Sequence, residues 1–426
     1  MSGSDTPIGP PASSSPSTSL SPDAMIGRDD WSDLSRIRPM PQIDRTALHD
    51  YRRERIRQEL RAADAALVVL VNPISLRYAT EYRSYPLFQS HIPTTYAVFP
   101  QQGPVVIYGS YGRPDAADEV RPGRAVTFFD AGPELAEGSR LLADDIVRFL
   151  AEIGSSNRRI ALEYTNPSLT LALLQRGLEV IDGVAIAERA RIVKSAEEIE
   201  CIRWACAVAE HGIARLREAL RPGITELQLW GILNYTNLAN NGDWHNGRML
   251  ASGPRINPWL QEASPRSVCS GDLVGFDTDM VGPGGYFADI SRTFHCGPAS
   301  PTRRQKQLYR LAHAEITHNL GLLRPGISLS ELQTRAFPVA EEFHANAYTC
   351  VIHGVGMTDE YPRVNPAFRG PNLYDGIIEP GMVLCVESYM GAVGERDGVK
   401  LEEQVLVTED GFERLSTYPF EEELLS

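Results

Sequence analysis

The chain has 426 residues, 42% of them hydrophobic, which is enough for two or three domains with a sizeable core. Its formal net charge of -14 disfavours nucleic acid and anionic membranes as partners. No apolar run reaches membrane-spanning length, and the six cysteines lack the spacing of a zinc finger or a disulfide framework. The sequence therefore predicts a cytoplasmic protein with buried thiols.

The first part of the chain alternates strand and helix patterns. Residues 1–27 are rich in Ser, Pro, Gly and Thr and lack the regions of a signal peptide, so they are predicted to be a disordered tail. The alternation that follows is typical of a small α/β domain ending near residue 188. The predicted elements are a helix at 43–63, strands at 66–71, 96–100 and 104–108, a helix at 141–153, a strand at 159–164, a helix at 168–176 and a strand at 178–181.

The second part contains an internal repeat. Helices predicted at 195–220 and 301–323 each end at an Arg-Pro-Gly-Ile turn, which is followed by a Thr or Ser cap and a further helix. Ser195 and Glu198 have the spacing of a capping box at the start of the first helix. The pattern indicates two helical pairs, each of which leads into strands.

A polar, glycine-rich stretch at 240–248 lies between the two halves of this repeat and is predicted to be a loop. It carries Trp244 and His245. Either these two residues line a pocket or they are partly exposed loop residues, and the sequence alone leaves both possibilities open.

The stretch 274–294 combines a hairpin pattern with three carboxylates. An apolar strand, a Gly-Pro-Gly-Gly turn at 282–285 and a second strand would set Asp277 and Asp289 side by side. Strand alternation would place Asp277 and Asp279 on one face. Three such charges in apolar surroundings repel each other and lose hydration, which a bound cation relieves. Considered alone, a polar turn with solvated carboxylates explains the stretch equally well.

Three later stretches favour a metal site. His353, Glu387 and Glu402 each lie inside an apolar, strand-like run. One buried polar residue of this kind is usually a satisfied core group. Four separate strands that each carry one are hard to explain without a shared ion.

The order Asp, Asp, His-Gly-x-Gly, Glu, Glu resembles the creatinase/prolidase family of metalloenzymes. The phrases G-Y-F-A-D-I-S-R-T-F at 285–294 and L-R-P-G-I-S at 323–328 strengthen the resemblance, which covers about residues 40–420. It implies an α+β chain, with a creatinase-like α/β domain at 28–188 and a pita-bread domain at 189–426. In the pita-bread fold a curved antiparallel sheet is backed by helices that repeat in two halves.

The same resemblance implies a homodimer and two divalent metal ions, with iron favoured over zinc or manganese. The implied ligands are five residues of the family pattern, with Asp279 as an additional carboxylate between the two aspartates. The complete implied set is Asp277, Asp279, Asp289, His353, Glu387 and Glu402.

Departures from the peptidase pattern point to a different reaction. Peptidases of the family carry one His after a Ser-Gly-Pro-like segment and another after His-Gly-x-Gly. Here Trp259 stands near the first position, and the segment 357–362 has Asp359 and Glu360 but no His. These features resemble the DddP-type lyases, metal-containing relatives that cleave dimethylsulfoniopropionate (DMSP) to dimethyl sulfide and acrylate.

This second resemblance implies roles for four residues. Asp359 would be the general base, and Tyr348 and His353 would contact the substrate. Trp259 would face the pocket, where an aromatic ring suits a sulfonium cation better than a peptide. A turn aspartate at 359 and a core tyrosine at 348 are the structural alternatives.

Two other functions are compatible with the fold. One is a prolidase-like metallohydrolase or aminopeptidase that acts on a small amino-acid derivative. The other is a non-catalytic pita-bread binding protein. The second is less compatible with the sequence, because such relatives usually lose metal ligands and this chain keeps every ligand type.

Overall fold

The computed structural model describes residues 40–426, and the tail predicted at residues 1–27 lies outside them. The described residues form an α/β region followed by a region of antiparallel strands and helices, which confirms the predicted α+β class. No helix in the described range is long and apolar enough to cross a membrane.

The α/β region is built on one mixed sheet with the strand order β4-β3-β2-β1-β5-β6. Its central strand is buried along its whole length, because helices cover both faces of the sheet. The strands are β1 (Leu67–Leu70), β2 (Tyr96–Pro100), β3 (Val106–Tyr108), β4 (Glu119–Arg121), β5 (Arg159–Leu162) and β6 (Glu179–Asp182). The helices are α1 (Arg45–Ala62), α2 (Pro73–Thr80), α3 (Pro86–His91), α4 (Phe128–Ala131), α5 (Leu135–Glu152), α6 (Pro167–Gln175) and α7 (Val184–Arg191).

Most predicted elements of this region are confirmed, with differences at their ends. Helix α5 begins at Leu135 rather than at residue 141, because its first turn is largely solvent-exposed and therefore lacks apolar periodicity. Helix α2, capped by Asn72, was not predicted. The domain boundary predicted between residues 188 and 189 falls inside helix α7 and remains a prediction.

The second region has eleven strands among the described residues, and all of their pairings are antiparallel. They form sheets in the orders β11-β10-β7, β12-β9-β8 and β14-β13-β15-β16-β17. The strands are β7 (Trp244–His245), β8 (Leu250–Ser252), β9 (Leu273–Asp277), β10 (Met280–Val281), β11 (Phe287–Ala288), β12 (Ser291–His295), β13 (Ile352–Val355), β14 (Asp359–Val364), β15 (Val383–Met390), β16 (Val399–Val407) and β17 (Phe412–Arg414).

The helices of this region confirm the predicted repeat. The Ser195–Glu198 capping box is present, with the Glu198 amide donating to the Ser195 hydroxyl at 3.2 Å and the Ser195 amide donating to the Glu198 carboxylate at 2.9 Å. In each half a long helix is followed by a shorter one, whose cap is Thr225 or Ser328. The helices are α8 (Ala196–Ala219), α9 (Glu226–Ala239), α10 (Arg303–Leu320), α11 (Leu329–Arg335) and α12 (Glu422–Leu425).

Strands β12 and β16 belong to different sheets and meet through side chains. The Thr293 hydroxyl donates to the Lys400 carbonyl at 2.8 Å and accepts from the Lys400 amide at 3.1 Å. Because these bonds replace a backbone ladder, the two sheets approach closely at this point. The carboxylates singled out in the sequence lie at this junction.

Candidate metal centre

The three aspartates of the hairpin converge, but not by the predicted register. Asp277 ends β9 and pairs across the sheet with Ser291, whereas Asp289 lies outside the strands. Asp279 is also between strands, with a φ of 38°, so the expected alternation of Asp277 and Asp279 along one strand is wrong. The left-handed backbone at Asp279 turns its side chain back towards the other two, and carboxylate oxygens of all three lie within 4.8 Å of one another.

Neighbouring polar groups hold Asp289 in place outside the strand. Its amide donates to the Gln404 side chain at 2.9 Å. On either side, the Thr278 hydroxyl donates to the Ala288 carbonyl at 2.7 Å and accepts from the Ile290 amide at 3.0 Å. These side chains replace the missing ladder bonds and fix the direction in which the Asp289 carboxylate points.

His353, Glu387 and Glu402 lie on three adjacent strands, β13, β15 and β16. Glu387 and Glu402 are directly opposite each other, and His353 is opposite Cys385, two residues from Glu387 on the same face. The His353 Nε2 atom lies 3.2 Å from Glu387, 3.6 Å from Glu402 and 3.7 Å from Asp289. The structure therefore brings all six sequence-predicted ligand residues into one buried cluster.

Lys400 is a component of the cluster that the sequence analysis missed. Its ammonium group donates to Asp277 at 2.9 Å and to Ser291 at 2.6 Å, contacts Glu387, and lies 3.3 Å from Glu402. Lys400 precedes Glu402 by two residues in a strand, so strand alternation would have placed both side chains on one face. Cys385, near Asp289 and Glu402, was likewise missed.

The cluster has the donor set and unsatisfied atoms of a cation site. Three overlapping groups of side chains each have ligand atoms within 4.8 Å of one another. In one group the Lys400 ammonium already contacts all three carboxylates, which are Asp277, Glu387 and Glu402. The other two groups contain buried oxygens without a hydrogen-bond partner, namely Asp277 Oδ1, Asp289 Oδ1 and Glu402 Oε1. Such atoms are costly unless a cation binds them, so these two groups fit divalent metal ions.

The electrostatics of the metal-free cluster agree with this assignment. Burial raises the pKa of Asp277, Asp279 and Asp289. The charge of Glu402 adds to all three shifts, and the charge of Asp277 adds to those of Asp279 and Asp289. Burial, then Glu402, raises the pKa of Glu387 to about 7. Burial opposes ionisation of Glu402 as well, but Lys400 and His353 outweigh it and lower its pKa below the ordinary value. The site therefore needs more positive charge than Lys400 and His353 supply.

Asp359 lies at the rim of the cluster. Its side chain is 56% exposed, and its carboxylate is 3.6 Å from the Nδ1 atom of His353. That nitrogen also lies 3.0 Å from the Gly354 carbonyl, which orients the ring with Nε2 towards Glu387 and Glu402. Burial and the charge of Glu402 raise the pKa of Asp359, and His353 opposes the shift.

Trp259 and Tyr348 lie on the Lys400 side of the cluster. The Lys400 ammonium is 5.9 Å from the centre of the Trp259 ring system and 4.9 Å from the centre of the Tyr348 ring. The Trp259 indole N–H is buried without a hydrogen-bond partner. Burial, followed by the charge of Glu387, raises the pKa of Tyr348, so its phenol stays protonated and can donate a hydrogen bond.

Trp244 and His245 line a cavity of about 340 Å³ between the α/β region and the strand region. Its other walls include Asn72, Tyr164 and Thr358, the residue before Asp359. The loop predicted at 240–248 therefore contains pocket-lining residues as well as the short strand β7. The cavity therefore lies beside the turn that precedes Asp359.

Comparison with known proteins identifies the class to which this fold and metal cluster belong. Residues 52–193 match the creatinase/prolidase N-terminal domain, and residues 200–409 match metallopeptidase family M24. The chain belongs to the creatinase/prolidase family of metalloenzymes.

Within that family, two bacterial proteins named dimethylsulfoniopropionate lyase DddP are similar over most of their length. The protein from Roseovarius nubinhibens is 35% identical over 91% of this chain and 89% of its own length. The protein from Roseobacter denitrificans is 33% identical over 90% and 88%, respectively. An Xaa-Pro dipeptidase from Pyrococcus furiosus is 30% identical over 53% of this chain and 63% of its own length.

Solved structures confirm the fold. The Xaa-Pro dipeptidase from Bacillus anthracis superposes with a TM-score of 0.69 at 20% identity, covering 87% of this chain and 98% of its own. The prolidase from Pyrococcus horikoshii OT3 superposes with a TM-score of 0.66 at 20% identity, covering 87% of this chain and 99% of its own. At this identity the likeness concerns the arrangement of the chain alone.

Loss of one cluster residue should remove metal and activity together. We expect Asp289→Ala and His353→Ala to lower the bound metal, because each side chain contributes to a group whose other ligand atoms are already fixed by the sheets. Elemental mass spectrometry of the purified variants measures this directly. Full metal occupancy in both variants would contradict the ligand assignment.

The matched control lies one residue from Glu402. Glu403 is equally buried, but it points to the other face of β16, where it accepts from Arg292 at 2.6 Å. Glu402→Gln should therefore lose metal, whereas Glu403→Gln should keep it, even if its melting temperature falls.

Metal binding should release protons in a pH-dependent way. Glu387 has a pKa of about 7 and the three aspartates have raised pKa values, so below pH 7 more of these groups hold a proton that a metal ion must displace. We expect more protons released at pH 6 than at pH 8, and weaker binding at pH 6. Calorimetric titration of the metal-free protein with Mn²⁺ in buffers of different ionisation enthalpy measures both. Equal proton release at the two pH values would show that metal binding does not displace protons from these carboxylates.

Proposed function

We propose that the protein is a metal-dependent DMSP lyase, which converts DMSP to dimethyl sulfide and acrylate by β-elimination. The observation that carries the proposal is the half-exposed carboxylate of Asp359 at the rim of a buried carboxylate–histidine cluster. Similarity to two proteins named DMSP lyase, each over about nine-tenths of this chain, supports the same reaction.

The residues proposed to hold two metal ions are Asp277, Asp279, Asp289, His353, Glu387 and Glu402. Five carboxylates and one imidazole suit iron, manganese or zinc, and the resemblance to the lyases favours iron. When bound, the ions supply Lewis acidity towards a substrate carboxylate. Lys400 contacts one oxygen each of Asp277, Glu387 and Glu402, and the second oxygens of Asp277 and Glu402, which have no hydrogen-bond partner, would be available to the ions.

Asp359 is the proposed general base. A carboxylate at this position would accept the proton from the carbon next to the substrate carboxylate. As that C–H bond breaks, its electron pair forms the carbon–carbon double bond, and the carbon–sulfur pair leaves with dimethyl sulfide. Exposure lets the carboxylate reach the substrate, and the raised pKa of Asp359 increases its basicity.

Aromatic side chains are proposed to accommodate the sulfonium group. Trp259 and Tyr348 already contact one cation, because Lys400 lies over both rings. The sulfonium group would therefore lie against the opposite face of one of these rings, whereas the Tyr348 phenol and the Trp259 indole N–H could donate to the substrate carboxylate. A direct contact of the substrate with His353 also remains a prediction.

A prolidase-like hydrolase is the alternative supported by a specific observation. The Pyrococcus furiosus relative named Xaa-Pro dipeptidase is 30% identical over 233 residues, and residues 200–409 of this chain match metallopeptidase family M24. Against it, Trp259 stands near one histidine position of the peptidase pattern, and the segment 357–362, where the pattern has a second histidine, contains none.

The first test separates lyase from hydrolase. The purified, metal-loaded protein should release dimethyl sulfide from DMSP, detected by gas chromatography, and should leave an Xaa-Pro dipeptide intact. Cleavage of the dipeptide without release of dimethyl sulfide would overturn the proposed function.

Asp359→Asn should keep the fold, the metal and substrate affinity but lose most turnover, because the amide cannot accept the proton at neutral pH. A positioned general base typically contributes about 10²–10⁴-fold in rate. Metal content, melting temperature and dimethyl sulfide release should be measured on one sample. Loss of bound metal in Asp359→Asn would instead indicate that Asp359 is a metal ligand. Near-normal turnover would exclude Asp359 as the base.

The predicted homodimer is tested independently of the reaction. Light scattering at micromolar protein should give twice the chain mass of 47.0 kDa. A monomer mass would contradict the expectation.

A further inference from the structure

Glu360, the residue after Asp359, is buried in a cluster of charges that belongs to neither the metal site nor the substrate cavity. Its side chain is 0% exposed, whereas that of Asp359 is 56% exposed, because successive residues of β14 point to opposite faces. Glu360 accepts from the Arg191 guanidinium at 3.0 Å and from the Lys194 ammonium at 2.9 Å. Each of its oxygens is thereby paired with a cation and the side chain is buried, so Glu360 is not placed to act as a base.

The two cations belong to the segment that joins the α/β region to the strand region. Arg191 ends helix α7 and also contacts Glu188 at 2.6 Å and Ser75 at 3.4 Å. The backbone of Lys194 is fixed by a hydrogen bond, in which its amide donates to the Gly381 carbonyl at 2.9 Å. Both side chains are at least 97% buried, so their positions are fixed by packing on every side.

Glu360 also holds the turn that precedes Asp359. The Met357 amide donates to its carboxylate at 3.1 Å. Gly356 packs so closely that an added Cβ atom would lie 2.5 Å from a Glu360 carboxylate oxygen. On the other side of the turn, the Phe287 amide donates to the Gly356 carbonyl at 2.8 Å. The turn 356–358 is therefore fixed between β11 and the Glu360 carboxylate.

We propose that Glu360 is a positioning residue, which clamps the turn 356–358 to Arg191 and Lys194 and thereby sets the place of the Asp359 carboxylate. This inference rests on the proposed function, in which Asp359 takes the substrate proton. It adds that the segment between the two regions takes part in catalysis by fixing the base, without touching the substrate.

The test compares Glu360→Gln with the charge-balanced double variant Glu360→Gln/Lys194→Met. Both remove the charged clamp, and the double variant avoids leaving an uncompensated buried ammonium group. We expect the turnover number for DMSP to fall about 10-fold to 100-fold in both, with KM and metal content little changed, because a base misplaced by about 1 Å can cost 10²-fold in rate.

Glu188→Gln is the matched control. It removes the other carboxylate that contacts Arg191 and leaves the contacts of Glu360 in place. Its turnover number should stay near that of the unchanged protein. If Glu188→Gln lowers turnover as much as Glu360→Gln, the effect arises from the charge cluster as a whole and the positioning role is wrong.

Hydrogen exchange provides a readout independent of activity. Peptides that cover residues 354–361 should exchange faster in both Glu360 variants, because the Met357 amide loses its charged acceptor. Faster exchange with an unchanged turnover number would overturn the positioning role, as would unchanged exchange. If the unchanged protein releases no dimethyl sulfide, the proposed function fails, while the exchange rate still decides whether Glu360 holds the turn.

Discussion

Five carboxylates enclosed by apolar strands set the main constraint on this structure. Lys400, itself fully buried, neutralises one of these charges and contacts three of the carboxylates through oxygens on one side. One buried oxygen each of Asp277, Asp289 and Glu402 has no hydrogen-bond partner. Burying such charges is unfavourable unless cations pair with them, so the donor set at the sheet junction fits metal ions.

Strand register decides which buried charges take part. Along β16, Lys400, Glu402 and Gln404 point to the cluster, while Glu403 points to the opposite face and pairs with Arg292. A slip of one residue would exchange Glu402 and Glu403, and would leave Arg292 and the cluster each without its partner. The hydroxyl bonds between Thr293 and Lys400 oppose such a slip, because they fix β16 against β12.

Much of this arrangement could be predicted from local patterns. Polar residues inside apolar runs, together with the family resemblance, identified the six cluster residues, and the Ser195–Glu198 spacing identified the start of helix α8. The predicted position of Asp289 opposite Asp277 was wrong, because it assumed an unbroken hairpin, whereas the left-handed backbone at Asp279 interrupts the strand. Such a break depends on Thr278 and Gln404, the second of which is remote in sequence.

Contacts between distant segments were also beyond sequence patterns. Strand alternation could have placed Lys400 beside Glu402, but not beside Asp277, which comes from another sheet. In the sequence Glu360 is simply a second carboxylate beside Asp359, and only the folded chain shows it paired with Arg191 and Lys194. In both cases the local pattern predicts the strand face on which the side chain lies, whereas the residue that pairs with it is determined by the tertiary fold.

The fold is shared with an Xaa-Pro dipeptidase and a prolidase at 20% identity, so the scaffold does not by itself specify a reaction. The proposed difference lies around the cluster, where the sequence has Trp259 near one histidine position of the peptidase pattern and no histidine in the segment 357–362. An elimination needs a base at the substrate carbon and no group to protonate a leaving amine. In the proposed reaction the exposed carboxylate of Asp359 would be that base, positioned by its buried neighbour Glu360, and the site would need fewer catalytic groups than hydrolysis requires.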